Sequence, residues 1–253
     1  RGRQEPRGEA RAPGACGAPR RAAAMGCGAG AKEPLGAPLY RASRKNEVAQ
    51  AKLALKVKSA LACKDPLLGN TALHIAAGAG SIDVVEMLLA AKAAPGTANE
   101  CGDLPMHAAL GSGQPGAAQI VQLLLRCRAF ATAKGTSDRT PLHVAARAGA
   151  VETIQLLLAS GAAAAVGEVD ACKDTPLHEA ARQGHAQAAQ ELVRARAPVH
   201  AVNAGQRTAL HAAAQWGHEA VVLLLLHEGA IPTSVDHPRG DTPAHAAASS
   251  GHG

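Results

Sequence analysis

The sequence contains almost no aromatic residues: Tyr40, Phe130 and Trp216 are the only three in 253 residues. A single compact core usually takes much of its buried area from large aromatic side chains. Hydrophobic residues still make up 47% of the chain, and alanine supplies much of that fraction. Because small side chains let helices approach closely, this composition favours thin layers of packed helices, as in a helical or repeat architecture.

The chain also lacks long apolar runs and paired cysteines. The chain has no run of about 18 apolar residues, so no membrane-spanning helix is predicted. It also has no apolar segment near the start, so no signal peptide is predicted. The six cysteines form no C-x-x-C pair: Cys16, Cys27, Cys63, Cys101, Cys127 and Cys172. We interpret them as reduced thiols, which predicts an intracellular, cytoplasmic protein.

Positive charge is concentrated at the beginning of the chain. The net charge is +6, and residues 1–24 contain six Arg against Glu5 and Glu9. That segment therefore carries +4, which leaves +2 for the remainder of the chain. Since phosphate neutralisation dominates binding to nucleic acids, a nearly neutral body argues against a nucleic-acid partner.

The N-terminal segment, residues 1–45, is predicted to be disordered. Residues 1–24 contain little besides Arg, Ala, Gly and Pro, so they can bury little apolar area. The first methionine is Met25, which leaves two alternatives for the preceding residues: translated polypeptide, or untranslated sequence upstream of a start at Met25.

A start at Met25 would carry a lipidation motif. Removal of this methionine exposes Gly26, an acceptor for N-myristoylation, beside Cys27, a candidate for palmitoylation. Two acyl chains would hold the protein at the cytoplasmic face of a membrane. The match is partial, because the stricter pattern has Ser or Thr where this chain has Gly30, and the alternative is ordinary low-complexity coil.

A short motif recurs along the rest of the chain. Its six copies begin at Thr71, Leu104, Thr140, Thr175, Thr208 and Thr242. They are spaced 33, 36, 35, 33 and 34 residues apart. The fourth position is always histidine: His74, His107, His143, His178, His211 and His245. A small-residue stretch ending in Gly follows, and then an apolar run such as 154–158. A fixed period of this length predicts a repeat architecture.

Each part of the motif has a structural reason. Thr can cap a helix by accepting a backbone hydrogen bond, and Pro fits the next position, where no N–H is needed. Leu then points into the core, small residues keep the first helix thin, and Gly ends it. The apolar run forms a second helix. One such helix pair cannot bury its apolar face alone, whereas stacked copies can.

These residues resemble the ankyrin repeat from roughly residue 65 to the end. The resemblance implies an all-α repeat solenoid of helix–turn–helix repeats with short β-hairpin fingers, whose usual role is the recognition of another protein. It also implies that the fourth-position His bonds the backbone of the adjacent repeat. The predicted boundaries are a capping helix at 46–64 and a repeat domain at 65–253, in which the sixth repeat lacks its second helix.

The departures from the family pattern carry their own predictions. Leu104 replaces the capping Thr, so the first helix of repeat two should fray more easily. Extra residues around 114–116 are placed in the turn between its helices, and others near 163–166 should lengthen the next finger. The fingers of repeats three to five lack the usual Gly and should turn differently, because they carry Asp138, Lys173 and Gln206 instead.

No catalytic, cofactor or metal site is predicted, and the protein is predicted not to be an enzyme. Motif histidines one repeat apart would lie roughly 10 Å from each other, too far for a shared zinc ion. The segment His178-Glu179-Ala-Ala-Arg182 lacks the second His of H-E-x-x-H. No Gly-rich phosphate loop or nucleophile–base pair is found.

The resemblance also indicates a binding surface. Ankyrin repeats contact partners through their finger tips and through exposed positions at the end of each first helix. Carried over to this chain, those positions give the candidates Arg139, Arg147, Arg182, Gln183, Arg207, Gln215 and Trp216. Arg and Trp are enriched at interface hot spots, and an Arg cluster suits an acidic or phosphorylated partner. The alternative is that Trp216 serves packing and the arginines only solvate the surface.

These observations predict a monomeric, non-catalytic scaffold that binds another protein. The alternative is that the repeats form the targeting region of a larger enzyme or channel, such as a kinase, a ubiquitin ligase or an ion channel. The repeats alone do not specify the partner, because a fold fixes a shape rather than a function.

Overall fold

A computed structural model describes residues 36–56 and 61–252. The chain divides into two units, residues 1–33 and 34–253. The first unit, including the lipidation candidates Gly26 and Cys27, lies outside the described residues. In the described part, no helix combines the length and the apolarity needed to cross a membrane.

The described part of the second unit consists of helices joined by turns. An N-terminal pair comprises α1 (Ala37–Lys45) and α2 (Val48–Ala54). The motif forms the first helix of each repeat: α3 (Ala72–Gly78), α5 (Pro105–Gly111), α7 (Pro141–Ala148), α9 (Pro176–Gln183), α11 (Ala209–Gln215) and α13 (Pro243–Ser249). The second helices are α4 (Ile82–Ala90), α6 (Ala117–Arg126), α8 (Val151–Ala159), α10 (Ala186–Arg194) and α12 (Glu219–His227).

The repeats stack with their first helices against each other and their second helices against each other. Thus α7 packs between α5 and α9, while α8 packs between α6 and α10. The third motif position forms the centre of one continuous core, because its side chain is fully or almost fully buried in repeats one to five: Leu73, Met106, Leu142, Leu177 and Leu210. The alanines that follow are buried beside it, which confirms the thin-layer core expected from the composition.

The N-terminal boundary differs from the sequence prediction. The single helix expected over 46–64 is replaced by α1 and α2, of which α1 lies in the segment predicted to be disordered. Asn46 separates them by adopting a left-handed backbone with φ of 56°, a conformation that Asn tolerates. Leu39 and Ala42 are fully buried, and α1 packs on α3 while α2 packs on α4. The pair therefore acts as an extra layer before repeat one.

The fingers are turns, and no strand is assigned among the described residues. A backbone hydrogen bond closes each turn, as from Asp170 N to Asp174 O at 3.0 Å and from Asn203 N to Arg207 O at 3.0 Å. Neighbouring fingers are joined as well, for example by Ala204 N donating to Cys172 O at 2.9 Å. The fingers therefore form a hydrogen-bonded row along one side of the stack.

The irregular repeats are accommodated locally. Residues 114–116 lie in the turn between α5 and α6, as expected. The insertion near 163–166 instead forms a 3₁₀ helix, Ala162–Ala165, which buries its first and last residues. It does not lengthen the next finger, because burial of these alanines holds the extra residues against the core. The prediction that it would do so was wrong.

The fingers without glycine keep a left-handed residue at the expected position. The backbone φ is 58°, 59° and 56° at Asp138, Lys173 and Gln206, close to the 66° of Gly69. The finger of repeat three carries a second left-handed residue, Ser137, with φ of 59°. The prediction of a different turn was therefore wrong for repeats four and five. The hydrogen bonds between fingers hold this conformation despite its steric cost.

Candidate protein-binding surface

The motif histidines join each repeat to the next one. In repeat three, His143 Nδ1 accepts a hydrogen bond from Thr140 N at 3.2 Å. The proton therefore resides on Nε2, which donates to Asp174 O in the following finger at 3.0 Å. The other four junctions have the same geometry, with Nε2 bonds of 2.9–3.1 Å from His74, His107, His178 and His211. The structure confirms the structural role that the resemblance implied.

Burial keeps these five imidazoles neutral. Desolvation lowers the pKa of His74, His107, His143, His178 and His211 below the usual value of 6.5. The neutral form is the one that the geometry requires, because only a neutral ring can accept at Nδ1 and donate at Nε2. These histidines are therefore occupied in holding the stack together.

Three buried carboxylates form an ion-pair network with two of the candidate arginines. The carboxylates are those of Asp170, Asp174 and Glu179, whose nearest oxygens lie within 4.8 Å of one another. Arg139 contacts Glu179 at 3.1 Å and Asp170 at 3.4 Å. Arg182 contacts Glu179 at 3.3 Å and also pairs with Asp174. The two guanidinium groups thus place two positive charges among three close carboxylates, and each carboxylate contacts at least one of them.

Asp174 is held ionised within this network. Burial alone would raise its pKa, but hydrogen bonds from Arg182 and Asn203 bring the pKa below the usual value. Asn203 donates to the Asp174 carboxylate at 2.9 Å from the finger of repeat five. The network therefore links three successive repeats, from Arg139 in repeat three to Asn203 in repeat five.

A third candidate arginine is also paired within the chain. Arg207 contacts Asp236 at 3.0 Å and donates to Gln215 at 2.8 Å. Arg139, Arg182 and Arg207 all keep part of their side chains in contact with solvent. Their charges, however, are largely compensated by carboxylates of the same chain, so they offer less to an anionic partner than the sequence suggests.

The remaining candidates are exposed and define what we term the open face: Arg147, Gln183 and Trp216. They lie at or directly after the C-terminal ends of α7, α9 and α11, as predicted for first-helix positions. Trp216 is 56% exposed. Among the described residues, Arg147 forms no ion pair. The seven predicted residues thus separate into four that are engaged internally and three that face solvent.

The acidic partners of the arginines were missed by the sequence analysis. Glu179 was noticed only because it follows a histidine, as in a zinc motif. The sequence does contain a signal for the role of Glu179, because the residue after the motif His is apolar in the other repeats: Ile75, Ala108, Val144, Ala212 and Ala246. This position is at least partly buried in every repeat, and a charged residue there needs a partner.

Comparison with known proteins supports the repeat assignment. Family models described as "Ankyrin repeats (3 copies)" match residues 91–166 and 162–236, and one described as "Ankyrin repeats (many copies)" matches residues 62–109. These matches cover more than half of the chain, which therefore belongs to the ankyrin-repeat family. Membership of this family supports a role in binding another protein.

Two relatives share part of this region. A probable E3 ubiquitin-protein ligase XBOS33 of Oryza sativa subsp. japonica is 37% identical over 138 residues, which is 53% of this chain and 25% of that protein. The human neurogenic locus notch homolog protein 4 is 37% identical over 95 residues, which is 37% of this chain and 5% of that protein. The chain thus spans a quarter or less of either relative.

Proposed function

We propose that this protein is a non-catalytic scaffold that binds a partner protein through the open face. The observation that carries the proposal is the exposure of Trp216. Helix α11 buries Leu210, His211 and three alanines, whereas more than half of Trp216 is exposed. A large exposed aromatic side chain that the core does not need is typical of an interface anchor.

In this proposal the protein is a monomer, and Arg147 binds an acidic group of the partner. The partner presents an acidic group to this guanidinium, which lacks a carboxylate of its own in the described structure. Arg139, Arg182 and Arg207 instead shape the surface through their internal pairs. An interface that combines an aromatic anchor with a charge-assisted hydrogen bond gains both affinity and orientation.

The substitution Trp216→Ala tests the proposal. We expect the thermal midpoint to stay nearly unchanged, while capture of the partner falls by about tenfold or more, as at an interface hot spot. Quantitative mass spectrometry of proteins retained by the wild-type and variant chains measures the effect. The matched control is Leu223→Ala on α12, whose side chain is 59% exposed on a second helix. A large drop in the midpoint with unaltered capture would show that Trp216 is a packing residue.

A second candidate function is suggested by the likeness to the rice ligase. In this alternative the repeats are the substrate-recruiting region of a larger ubiquitin ligase, and the open face binds the protein to be modified. The complete open reading frame distinguishes the two: a ligase domain in the same polypeptide favours the alternative, and its absence favours the scaffold.

We also propose a cytoplasmic location, with tethering at the cytoplasmic face of a membrane through Gly26 and Cys27. The support is the sequence Met25-Gly26-Cys27 alone. Cells that express the chain from Met25 are labelled with a myristate analogue. We expect label on the wild type and on a Gly28→Ala control, and none on Gly26→Ala. Absence of label from the wild type would disprove the tether.

A further inference from the structure

A groove of about 490 Å³ opens between α5 and α7, at the junction of repeats two and three. Its finger side is formed by Asp103, Thr136 and Arg139, and its far side includes Gly111, Gly113 and Arg147. Its volume falls in the range of typical ligand sites. The groove adjoins the open face at Arg147 but lies away from Trp216, two repeats further along the stack.

The groove exists partly because repeat two has no side chain at Gly111. The equivalent positions in the next three repeats carry Arg147, Arg182 and Gln215. A Cβ atom placed on Gly111 would meet nothing within 4 Å, so the space above it is empty. Gly111 has an ordinary helical backbone at the end of α5, and other residues could occupy this position without strain.

The second cause is a missing histidine. In repeats three to five the turn glycine is covered by a His that follows the next turn glycine: the His185 ring lies so close to Gly149 that a Cβ there would come within 2.7 Å of it. His218 covers Gly184 in the same way. Repeat three has Ala150 at the position of these histidines, so Gly113 has no neighbour within 4 Å of an added Cβ.

Ala150, which stands in place of the histidine, also leaves a main-chain carbonyl without the hydrogen bond that the histidine donates in later repeats. His185 Nε2 bonds the carbonyl of Arg147 at 3.2 Å, and His218 Nε2 bonds that of Arg182 at 3.0 Å. The equivalent carbonyl in repeat two belongs to Gly111, and Ala150 has no side-chain donor to offer it. Gly111 is exposed, so its carbonyl is a main-chain acceptor that lies beside open space.

The charge of Arg147 favours an anionic group at its end of the groove. Both carboxylate oxygens of Asp103 accept hydrogen bonds from Thr136, each at 2.7 Å. Arg139 is paired with two carboxylates of the network. Asp103 has no cationic partner among the described ion pairs, and Arg147 is the lining cation that has no carboxylate partner there. One uncompensated cation suits a carboxylate, whereas a phosphate carries about two charges and forms several charge-assisted bonds.

We infer that this groove binds an extended segment of a partner protein, with an Asp or Glu side chain on Arg147 and a main-chain N–H donated to the Gly111 carbonyl. The inference rests on the proposed scaffold function and gives it a partner chemistry. The seven residues of α5 span about 10 Å, which accommodates about three residues of extended chain.

The key variant is Ala150→His. Ala150 has φ −79° and ψ 78°, and His185 has φ −81° and ψ 78°, so the fold accepts His at this position. The new ring would cover Gly113 and bond the Gly111 carbonyl. We therefore expect the variant to be at least as stable as the wild type while the groove is closed. Two further variants are Gly111→Gln, which fills the groove, and Arg147→Gln, which removes the cation.

The probe is a library of random twelve-residue peptides displayed on phage and selected on the full chain. Enriched sequences are synthesised and measured by fluorescence anisotropy at about 0.15 M salt, where loose charge attraction is screened. We expect them to share an Asp or Glu, and expect their Kd to rise about tenfold or more with each of the three variants. The control Gly78→Gln, at the equivalent position in repeat one, should leave the Kd unchanged.

Four outcomes would overturn the inference. They are failure to enrich acidic peptides, unchanged affinity for Ala150→His, unchanged affinity when the acidic residue is replaced by Gln, and tighter binding of phosphoserine than of Glu at that position. The substitution Trp216→Ala separates this result from the scaffold proposal. Groove peptides should bind Trp216→Ala normally. If one of these four outcomes is observed while Trp216→Ala still weakens partner capture, the inference about the groove is wrong and the scaffold proposal stands.

Discussion

Glu179 lies at the centre of the ion-pair network and pairs with two of the arginines that the sequence predicted to bind a partner. Its side chain is 2% exposed, and its carboxylate contacts both Arg139 and Arg182. A buried carboxylate is costly unless it is paired and hydrogen-bonded. The two guanidinium groups are therefore committed to satisfying Glu179, Asp170 and Asp174 before any partner arrives.

The substitution Glu179→Ala should destabilise the fold by about 1–3 kcal/mol, because it removes the buried contacts that Glu179 makes with the charged groups of Arg139 and Arg182. Urea denaturation of the wild type and variant measures the change. The control is Glu191→Ala, whose partner Arg194 is 65% exposed, and which should cost less than about 1 kcal/mol. Equal losses in the two variants would mean that the network contributes no more than a surface pair.

For single residues, the sequence correctly predicted the structural roles that the repeat motif determines. It did not predict the roles that depend on which side chains lie next to a residue in the fold. The bond from His143 to Asp174 O occurs because every motif copy places the same two groups at the same distance. One of the two ion pairs of Arg139 depends on Glu179, and a carboxylate occurs at this position in repeat four alone. Pattern analysis alone could place Arg139 at the surface but could not show that its charge was already compensated.

Each finger contains at least one residue with a left-handed backbone, whatever its side chain. A left-handed backbone costs a residue other than Gly roughly 1–2 kcal/mol. Lys173 and Gln206 bear this cost in repeats four and five, where other fingers have Gly69, Gly102 and Gly240. Hydrogen bonding between fingers offsets it, for example through Ala171 N and Ser137 O at 2.9 Å.

The substitutions Lys173→Gly and Gln206→Gly should each raise the free energy of unfolding by up to about 1 kcal/mol. Relief of the left-handed strain should exceed the extra backbone entropy that Gly gains on unfolding. Differential scanning calorimetry checks the shift in midpoint. Gln155→Gly in the helical interior of α8 serves as the control with opposite sign, since it should cost about 1 kcal/mol. Destabilisation by Lys173→Gly would show that the lysine stem contributes packing.

Helix α13 should be the least stable repeat element in a polypeptide that ends at Gly253. Among the described first helices it packs on α11 alone, whereas α9 packs between α7 and α11. In stacked repeats, local opening is set by the interfaces that each unit makes. Native-state hydrogen exchange should therefore be at least about tenfold faster in α13 than in α9. Equal protection in the two helices would contradict this.

Helix prediction succeeded inside the motif and failed before it. The ends of α7 follow from Thr140, Pro141 and Gly149, which occupy the N-cap, the first helical position and the C-cap of the helix. Helix α1 has no motif of its own, and only the burial of Leu39 and Ala42 against the neighbouring layer fixes it. That contact is tertiary, so composition alone classed the segment with the disordered N-terminal region.

Across the whole molecule, five buried histidines couple stability to pH. Their lowered pKa values mean that the unfolded chain binds protons more readily than the folded chain below the usual value of 6.5. The stabilisation is therefore present above pH 6.5 and is lost as the pH falls through the lowered values. The lowered pKa of Asp174 acts in a separate, more acidic window below its usual 3.8.

We expect the urea midpoint to be highest near neutral pH and to fall progressively between about pH 7 and pH 5. All five repeat junctions contain the same histidine bond, so the loss should affect the stack as a unit and keep a single transition. Circular dichroism at a series of pH values measures it. An unchanged midpoint from about pH 7.5 to pH 5.5 would mean that the imidazoles titrate alike in both states.

The scarcity of aromatic residues gives the molecule a natural optical probe. Trp216 is the only tryptophan in the chain, and it lies exposed at the end of α11. Intrinsic fluorescence excited at the indole band therefore reports on one position of the open face, with no signal from the core. A partner that covers this position would shift the emission to shorter wavelength and shield it from acrylamide quenching, without any label attached to the protein.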